Sequence, residues 1–295
     1  MTKIRISILL YIIISLLSLS YSQSNSNYTV VDDLGRNIEF DGVPQKIIAL
    51  APSLTEYVFA LGCNDRLVGN TTYCNYPPAA ESITKVGDMV TFDYERILSL
   101  EPDLILITIE GNTKESYDKI NGLGLKTFVV NPHSYENIKK AFSKIAAIFK
   151  KDSLASEMIN NWDLTIEKIS LQRKKYADKT VMIIVDLSPL MLAGKNTFLN
   201  EYLEITGLRN IAEDSPVNYP IFNREEILSR NPDYIIYPSD GTKTSSQLFE
   251  YYPEWRELKA YRKNRIIFVD RDMYFRPGPR FVKSLLDLNT KLNND

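Results

Sequence analysis

The sequence predicts an α/β protein made of two Rossmann-like lobes, each with a mostly parallel sheet, joined by a single long α-helix. An internal repeat points to two lobes, because residues 93–106 return as residues 223–236 with seven of fourteen positions identical. Apolar strand-like runs alternate with helical patterns in both halves, as they do around parallel sheets. From residue 152 to about 177, apolar residues recur every three or four positions, as in an amphipathic helix. The predicted units are an N-terminal lobe (23–151), a linker helix (152–178) and a C-terminal lobe (179–295).

In the N-terminal lobe, an initial hairpin is followed by alternating strand and helix patterns. Short runs of Val, Ile and Leu bounded by Gly, Pro or Asn predict the strands. Ser53 and Glu56 have the spacing of a capping box, which predicts a helix from there to Leu61. The predicted strands outside the repeat are 28–32, 37–40, 46–50, 66–69, 85–89 and 126–130. The other predicted helices are 113–123 and 134–149.

Each copy of the repeat predicts a short helix followed by a buried strand. Asp93 and Asn223 are the predicted N-caps, and Pro102 and Pro232 are predicted to end the two helices. The linker helix would span roughly 35–40 Å at 1.5 Å per residue, and a helix of that length is a stiff connection. The remaining elements predicted in the C-terminal lobe are strands at 181–185 and 265–269 and helices at 197–205 and 281–292.

The first 22 residues have the pattern of a cleavable signal peptide. Lys3 and Arg5 form a positive n-region, residues 6–19 are apolar, and small residues stand at the −3 and −1 positions before Gln23. The apolar run is short for a membrane span of about 20 residues. No cysteine follows it to carry a lipid anchor. The mature chain is therefore expected in the periplasm, beginning at Gln23.

Composition and charge argue against several classes of function. A net charge of −2 over 295 residues gives no basic surface for nucleic acid. His133 is the single histidine, which makes a two-histidine metal site or a Ser-His-Asp triad hard to build. The pair Gly122 and Gly124 follows a helix and lacks the third glycine of a dinucleotide-binding motif. We therefore expect a protein that binds rather than catalyses, with no metal or cofactor of its own.

Cys63 and Cys74 allow two interpretations. Export to an oxidising compartment permits a disulfide. One cysteine follows a predicted helix and the other follows the next predicted strand, so their ends could come within bonding reach. The alternative is a pair of separate buried thiols. We predict the disulfide.

The predicted parallel sheets indicate where a ligand would bind. In open α/β sheets the ligand lies beyond the carboxyl ends of the strands. Two lobes that face each other with these loops would form a cleft lined by aromatic and polar groups, which is typical of small-molecule sites. The loops nominated by this rule are 51–53, 73, 89 and 108–110 in the first lobe, and 188–191, 219 and 272–276 in the second. The candidate ligand-binding residues are Pro52, Ser53, Tyr73, Met89, Thr108, Met191, Tyr219, Asp272 and Arg276.

Residues 49–56, 73–78 and 95–104, with Arg224-Glu225 and Pro279-Arg280, form a recognisable set of short motifs. In these motifs the chain resembles the class III periplasmic binding proteins of ABC importers. Within that family the members that bind cobalamin are the most similar, followed by those that bind siderophores and haem. The resemblance covers the chain from the first hairpin to the C-terminus, and it implies the same two-lobe fold with one long helix.

The resemblance also implies a ligand, a corrinoid held between the lobes as transported cargo. Met89 and Thr108 depart from the pattern, because the cobalamin binders have tryptophans there and a smaller aromatic wall loses stacking contacts. Haem or a ferric siderophore is the alternative ligand, and an exported chelatase-like enzyme is a more distant alternative. The residues that match ligand-cleft positions are Tyr73, Tyr219, Asp272 and Arg276.

Glu95 and Glu225, one in each copy of the repeat, have two interpretations. Acidic side chains in the first turn of a helix interact favourably with its macrodipole, which explains them without a partner. The resemblance implies instead that they dock on arginines of the ABC permease dimer, one glutamate for each permease subunit. The expected partners are thus the permease dimer and the transported ligand, and the protein is expected to act as a monomer.

Overall fold

The computed structural model describes residues 27–239 and 245–294, so the predicted signal peptide lies outside it. The N-terminal lobe contains a hairpin and a four-stranded sheet. Its strands are β1 (Tyr28–Val31), β2 (Asn37–Phe40), β3 (Ile47–Ala49), β4 (Leu67–Asn70), β5 (Leu104–Thr108) and β6 (Thr127–Val130). Its helices are α1 (Pro52–Ala60), α2 (Tyr94–Ser99), α3 (Lys114–Gly122) and α4 (Tyr135–Ile148). The sheet has the order β4-β3-β5-β6, and all of its strands are parallel.

Helix α5 (Asp152–Ser170) leads into the C-terminal lobe. The strands of this lobe are β7 (Thr180–Leu187), β8 (Leu190–Leu192), β9 (Arg209–Asn210), β10 (Tyr234–Ser239) and β11 (Ile266–Asp270). Its helices are α6 (Phe198–Thr206), α7 (Arg224–Arg230), α8 (Ser245–Tyr251), α9 (Lys259–Arg262), α10 (Arg271–Tyr274) and α11 (Phe281–Asn293). The sheet has the order β11-β10-β7-β8, with β9 also paired to β7, and only β8 is antiparallel. The predicted α/β class with two mostly parallel sheets is confirmed.

The two copies of the repeat form α2 with β5 and α7 with β10. The side chains of Asp93 and Asn223 accept hydrogen bonds from the third residue of each helix, as N-caps do. After the helix, Asp103 accepts from the Lys46 backbone N–H (2.9 Å), next to the start of β3. Asp233 accepts from the Thr180 backbone N–H (3.1 Å), at the start of β7. The repeated Pro-Asp pair therefore ties each strand to its neighbour, which gives the sequence identity a structural reason.

The linker helix is shorter than predicted. It ends at Ser170 rather than near 177, and its 19 residues span about 28 Å at 1.5 Å per residue. Ile169 is the last residue of the helix that faces the core, whereas Leu171, just after the helix, is 79% exposed. A single 3₁₀ turn, Arg173–Lys175, follows, and Tyr176 then donates its hydroxyl to the Leu292 carbonyl (2.8 Å). The chain turns where the buried apolar stripe ends.

The predicted disulfide is wrong, because both cysteines are free and buried. The Cys63 thiol lies 3.5 Å from the Leu61 carbonyl oxygen, beside the end of α1. The Cys74 sulfur lies 3.2 Å from the hydroxyls of both Thr55 and Thr71. Each thiol thus has polar contacts of its own in a separate place. The alternative interpretation, two separate buried thiols, is the one that the structure supports.

The two lobes share part of one apolar core. Tyr135 of α4 stacks on Phe281 of α11 with ring centroids 5.4 Å apart, and Phe281 stacks on Tyr202 of α6 at 4.6 Å. On the linker, Trp162 packs against Phe142 of α4 at 5.0 Å. Aromatic packing across the lobe boundary holds the two sheets in a defined relation. Within 27–239 and 245–294, no helix combines the length and apolarity needed to cross a bilayer.

Candidate ligand-binding cleft

A cavity of about 340 Å³ lies between the lobes, beyond the carboxyl ends of β3, β5 and β11. This inter-lobe cleft lies at the carboxyl ends of the strands, where ligands of open α/β sheets bind. The predicted candidates in its lining are Pro52, Ser53, Tyr73, Met89, Thr108, Tyr219, Asp272 and Arg276. Met191 is not among its lining residues, because it lies in β8 opposite Ile221, to which it is bridged. Eight of the nine predicted side chains are thus brought together in one place.

The cleft also has lining residues that the candidate set lacks, among them Phe198, Gly111, Arg271 and Pro277. Phe198 is the first residue of α6 and is buried. An apolar residue at a helix start looks the same in sequence whether it faces a core or a cleft. Arg271 directly precedes the predicted ligand-facing loop 272–276. The prediction therefore began this loop one residue too late.

The wall of the N-terminal lobe is held together by Asn112. Its side-chain oxygen accepts from the Thr108 backbone N–H (3.0 Å). Its amide nitrogen donates to the carbonyls of Leu50 (2.8 Å) and Met89 (3.1 Å). One amide therefore joins the end of β3, the end of β5 and the Met89 loop. This fixes the relative positions of three loops that face the ligand.

The wall of the C-terminal lobe is built around Tyr219. Its loop is hydrogen-bonded to the end of β8 and the residues that follow, because Gly194 donates to the Asn218 carbonyl (2.7 Å) and Leu192 donates to the Pro220 carbonyl (3.0 Å). A side chain at 194 would place its Cβ 2.6 Å from the Val217 carbonyl oxygen, so this close approach requires glycine. Burial raises the pKa of Tyr219 to about 12, and the charge of Glu110 adds to this. The phenol is therefore neutral at physiological pH.

Glu110 faces Tyr219 as a second polar group of the cleft. Although Glu110 is exposed at the edge of the cleft, partial desolvation there raises the pKa of its carboxyl, and the nearby His133 opposes the rise. The remaining lining is largely apolar, with Met89, Phe198 and Phe275 supplying side chains from both lobes. The cleft can thus accept a largely apolar ligand that carries a few hydrogen-bonding groups.

Beneath the cleft, Glu56 of α1 joins the lobes. It is 3% exposed and accepts from Nε (2.8 Å) and Nη2 (2.6 Å) of Arg280, which belongs to the C-terminal lobe. Arg276 contributes a third, longer contact of 3.4 Å. Burial raises the pKa of Glu56, and the two guanidinium groups oppose this rise. The predicted capping box is therefore wrong: α1 has Ala51 as its N-cap with no side-chain hydrogen bond, and Glu56 serves the inter-lobe contact instead.

Arg276 links this buried group to the edge of the cleft. It donates to the Asn75 side chain (2.8 Å) and to the Tyr73 carbonyl (3.0 Å), and it pairs with Asp272 (2.8 Å). Asn75 in turn donates to Asp272 (2.6 Å). These contacts join a loop of the N-terminal lobe to α10. We call Glu56, Asn75, Asp272, Arg276 and Arg280 the inter-lobe network.

Several proteins of other bacteria resemble this chain over most of its length. An uncharacterised ABC transporter substrate-binding lipoprotein of Bacillus subtilis is 31% identical over 275 residues, which cover 90% of this chain and 86% of the relative. The vitamin B12-binding protein of Photorhabdus laumondii is 28% identical over 253 residues, covering 85% and 89%. The structure of the periplasmic haem-binding protein RhuT of Roseiflexus shares the fold, with a TM-score of 0.76 at 21% identity, covering 85% and 98%.

The sequence profile of the periplasmic binding proteins matches residues 47–273. The chain belongs to this family. It is an extracytoplasmic substrate-binding protein of an ABC importer rather than an enzyme, and it works with a permease and a small-molecule ligand. The family resemblance inferred from the sequence is confirmed. Among the residues that the structure describes, no cluster of acidic, cysteine or histidine side chains is suited to hold a metal ion.

The two glutamates of the repeat lie on the surface of this binding protein. Glu95 and Glu225 occupy the first turns of α2 and α7, and both are exposed. Neighbouring charges have partners: Arg96 pairs with Asp93 at 3.5 Å, and Glu226 pairs with Arg230 at 2.7 Å. Over the described ranges, neither Glu95 nor Glu225 takes part in an ion pair. Both carboxylates are thus available to an external cation.

Proposed function

We propose that this binding protein captures a corrinoid, cobalamin, in the inter-lobe cleft and delivers it to an ABC permease. The observation that carries the proposal is the convergence of eight predicted ligand-binding side chains on one cleft. Similarity to the vitamin B12-binding protein of Photorhabdus laumondii supports the choice of ligand. Tyr73, Met89 and Tyr219 cover the macrocycle, and polar groups of the cleft hydrogen-bond to its periphery. Arg276 supports the site by donating to the Tyr73 carbonyl, which holds the Tyr73 loop in place.

A ferric ligand, haem or a siderophore, is the second candidate. Tyr73 is 56% exposed at the edge of the cleft, and its phenol is free to approach a ligand. Tyrosine is one of the side chains that ligate haem iron axially, and a tyrosine in this place has the required oxygen. The fold shared with a haem-binding protein is compatible with this ligand. The corrinoid is preferred because the vitamin B12-binding relative is similar in sequence over most of both chains.

Substitution of Tyr73 separates the two candidates. Tyr73→Phe keeps the ring and removes the oxygen, so cyanocobalamin affinity should stay within about twofold, whereas haemin bound through the phenolate would lose at least tenfold. Tyr76→Phe is the matched control, since Tyr76 lies in the same loop but stacks on Arg280 instead of lining the cleft. Isothermal titration calorimetry with both ligands measures the affinities of the three proteins. If the wild-type protein does not bind cyanocobalamin, and haemin affinity falls in Tyr73→Phe but not in Tyr76→Phe, haem replaces cobalamin as the proposed ligand.

Docking on the permease follows from the two exposed glutamates. Glu95 and Glu225 stand on equivalent helices of the two lobes, so a symmetric permease dimer can meet one carboxylate with each of its subunits. Arginine is the residue best suited to bind a carboxylate through two parallel hydrogen bonds. The macrodipole explains why an acid is tolerated at these positions, and docking explains why it is exposed and unpaired in both lobes. The protein delivers its ligand as a monomer.

Export completes the proposal. The mature protein begins at Gln23 and carries no lipid, in contrast to the lipoprotein relative of Bacillus subtilis. The intact mass of the protein recovered from its native host tests this. A mass equal to that of residues 23–295 supports the proposal, and added mass of fatty acyl chains contradicts it.

A further inference from the structure

A second cavity, of about 330 Å³, lies in the C-terminal lobe beside the carboxyl ends of β7 and β10. Its lining includes Val185, Asp186 and Ser188 around the end of β7, and Glu250 near the end of α8. Ser188 is the first residue of the predicted ligand-facing loop 188–191. The C-terminal sheet therefore has a cavity of its own at the strand ends, where open α/β sheets bind ligands.

Arg271 lines both the second cavity and the inter-lobe cleft. It is the first residue of α10 and directly follows β11. Its Nη2 donates to the Val185 carbonyl (3.2 Å), and its guanidinium carbon lies 5.6 Å from the ring centroid of Phe275. Val185 lines the second cavity, whereas Phe275 lines the cleft. The guanidinium group itself therefore lies where the two cavities meet.

The charge of Arg271 has no acidic partner among the residues that the structure describes. A guanidinium group has five N–H donors, and the hydrogen bond to the Val185 carbonyl uses one of them. Arg276 shows the contrast, since it pairs with Asp272 at 2.8 Å and also donates to the Asn75 side chain. Arg271 is exposed, so its remaining donors can meet a ligand. Arginine in this state is suited to bind a phosphate or a carboxylate through two parallel hydrogen bonds.

The rest of the described lining of the second cavity offers hydrogen-bond acceptors. Asp186 and Glu250 are exposed, and neither takes part in an ion pair within residues 27–239 and 245–294. The Asp186 side chain is held in place, because its Oδ1 accepts from the backbone N–H groups of Leu187 (2.7 Å) and Ser188 (3.3 Å). Carboxylates accept hydrogen bonds from hydroxyl and amide groups and repel a second anion. The group that fits therefore combines one anion at Arg271 with neutral donors beyond it.

We propose that the second cavity is a subsite for a phosphate-bearing arm of the transported corrinoid, and that Arg271 pairs with the phosphate. Cobalamin carries such an arm, in which a phosphodiester joins a side chain of the ring to a ribose and its base. The ring occupies the inter-lobe cleft, the phosphodiester lies where the two cavities meet, and the ribose hydroxyls meet the acceptors of the second cavity. This inference rests on the proposed function and names the part of the ligand that the protein selects.

Two corrinoids test the subsite, because dicyanocobinamide has the ring of cyanocobalamin but lacks the phosphate, the ribose and the base. The wild-type protein should bind cyanocobalamin at least about tenfold more tightly than dicyanocobinamide. Arg271→Gln should weaken cyanocobalamin binding roughly tenfold, the value of a charge-assisted hydrogen bond, and leave dicyanocobinamide binding unchanged. Ser188→Phe should have the same two effects, because it fills the second cavity and Ser188 is not among the lining residues of the cleft.

Arg256→Gln is the matched control. Arg256 is also exposed and also lies over a phenylalanine ring, with its guanidinium carbon 5.2 Å from the centroid of Phe249, but it lines neither cavity. Its substitution should leave both affinities unchanged. Thermal unfolding should find all three variants within about 3 °C of the wild type, because the replaced side chains are exposed.

Isothermal titration calorimetry gives the affinities of the four proteins for both corrinoids. If either Arg271→Gln or Ser188→Phe binds cyanocobalamin as tightly as the wild type, the inference is overturned while the proposed function stands. Equal wild-type affinities for the two corrinoids also overturn it, as does an equal loss of both in Arg271→Gln, which would place the arginine against the ring. If the wild-type protein binds neither corrinoid, the proposed function fails and this inference fails with it.

Discussion

The inter-lobe network predicts that the substitution Glu56→Gln destabilises the folded protein. This change keeps the shape of the side chain and removes the charge that faces two arginines. Glu56 accepts two hydrogen bonds from Arg280 at 2.6 and 2.8 Å, and the side chains of both partners are nearly buried. Breaking a buried ion pair by removing one partner costs about 3–5 kcal/mol. Glutamine retains one acceptor, so we expect a loss of about 3 kcal/mol in the free energy of unfolding, at the lower end of that range.

Thermal and urea unfolding measure this loss. For a chain of this size, about 2 °C of melting temperature corresponds to each kcal/mol, so Glu56→Gln should melt about 6 °C below the wild type. Glu95→Gln is the matched control, because Glu95 is exposed and its removal should change stability by less than about 0.5 kcal/mol. A double-mutant cycle with Arg280→Gln should show a coupling of at least about 1 kcal/mol. The reasoning is refuted if Glu56→Gln is no less stable than Glu95→Gln.

Two further predictions concern transport and pH. Combining Glu95→Ala with Glu225→Ala should leave ligand affinity unchanged and abolish ligand uptake in a reconstituted importer, and normal uptake would contradict the docking role. Partial desolvation raises the pKa of Glu110 above its ordinary value of 4.5, so the folded protein holds this proton more tightly than the unfolded chain does. Its contribution to stability is complete below pH 4.5 and is lost as the pH rises through the raised value. Glu110→Gln should therefore reduce the fall in melting temperature between pH values below 4.5 and neutrality, and an unchanged fall would contradict this assignment.

The fold was predictable because its signals are local or repeated. Asp93 and Asn223 cap their helices through their own side chains, and in both copies the Asp ten residues after the cap accepts a backbone hydrogen bond at the start of an earlier strand. Strand ends identify the ligand-facing loops, so most of the cleft lining could be named from sequence. The end of the linker helix was missed because an apolar periodicity does not show which turn of a helix leaves the core.

The capping-box and disulfide predictions failed because the side chains have other partners in the folded chain. Glu56 has the spacing of a capping box, yet its partner Arg280 lies 224 residues further along the chain. Cys63 and Cys74 are close in sequence, but Cys74 is held by Thr55 and Thr71 instead of by a disulfide. Tertiary contacts of this kind leave no local pattern.

The central claim is that the inter-lobe cleft binds a corrinoid. Calorimetric titration of the purified mature protein with cyanocobalamin tests it most directly, with haemin and a ferric siderophore as parallel titrants. We predict saturable binding of one cyanocobalamin per chain, weakened roughly tenfold by Tyr219→Ala through lost aromatic contact and unchanged by Tyr261→Ala, an exposed tyrosine outside the cleft lining. Saturation by haemin or the siderophore with no response to cyanocobalamin would contradict the corrinoid assignment. No binding of any of the three would contradict the account of the cleft.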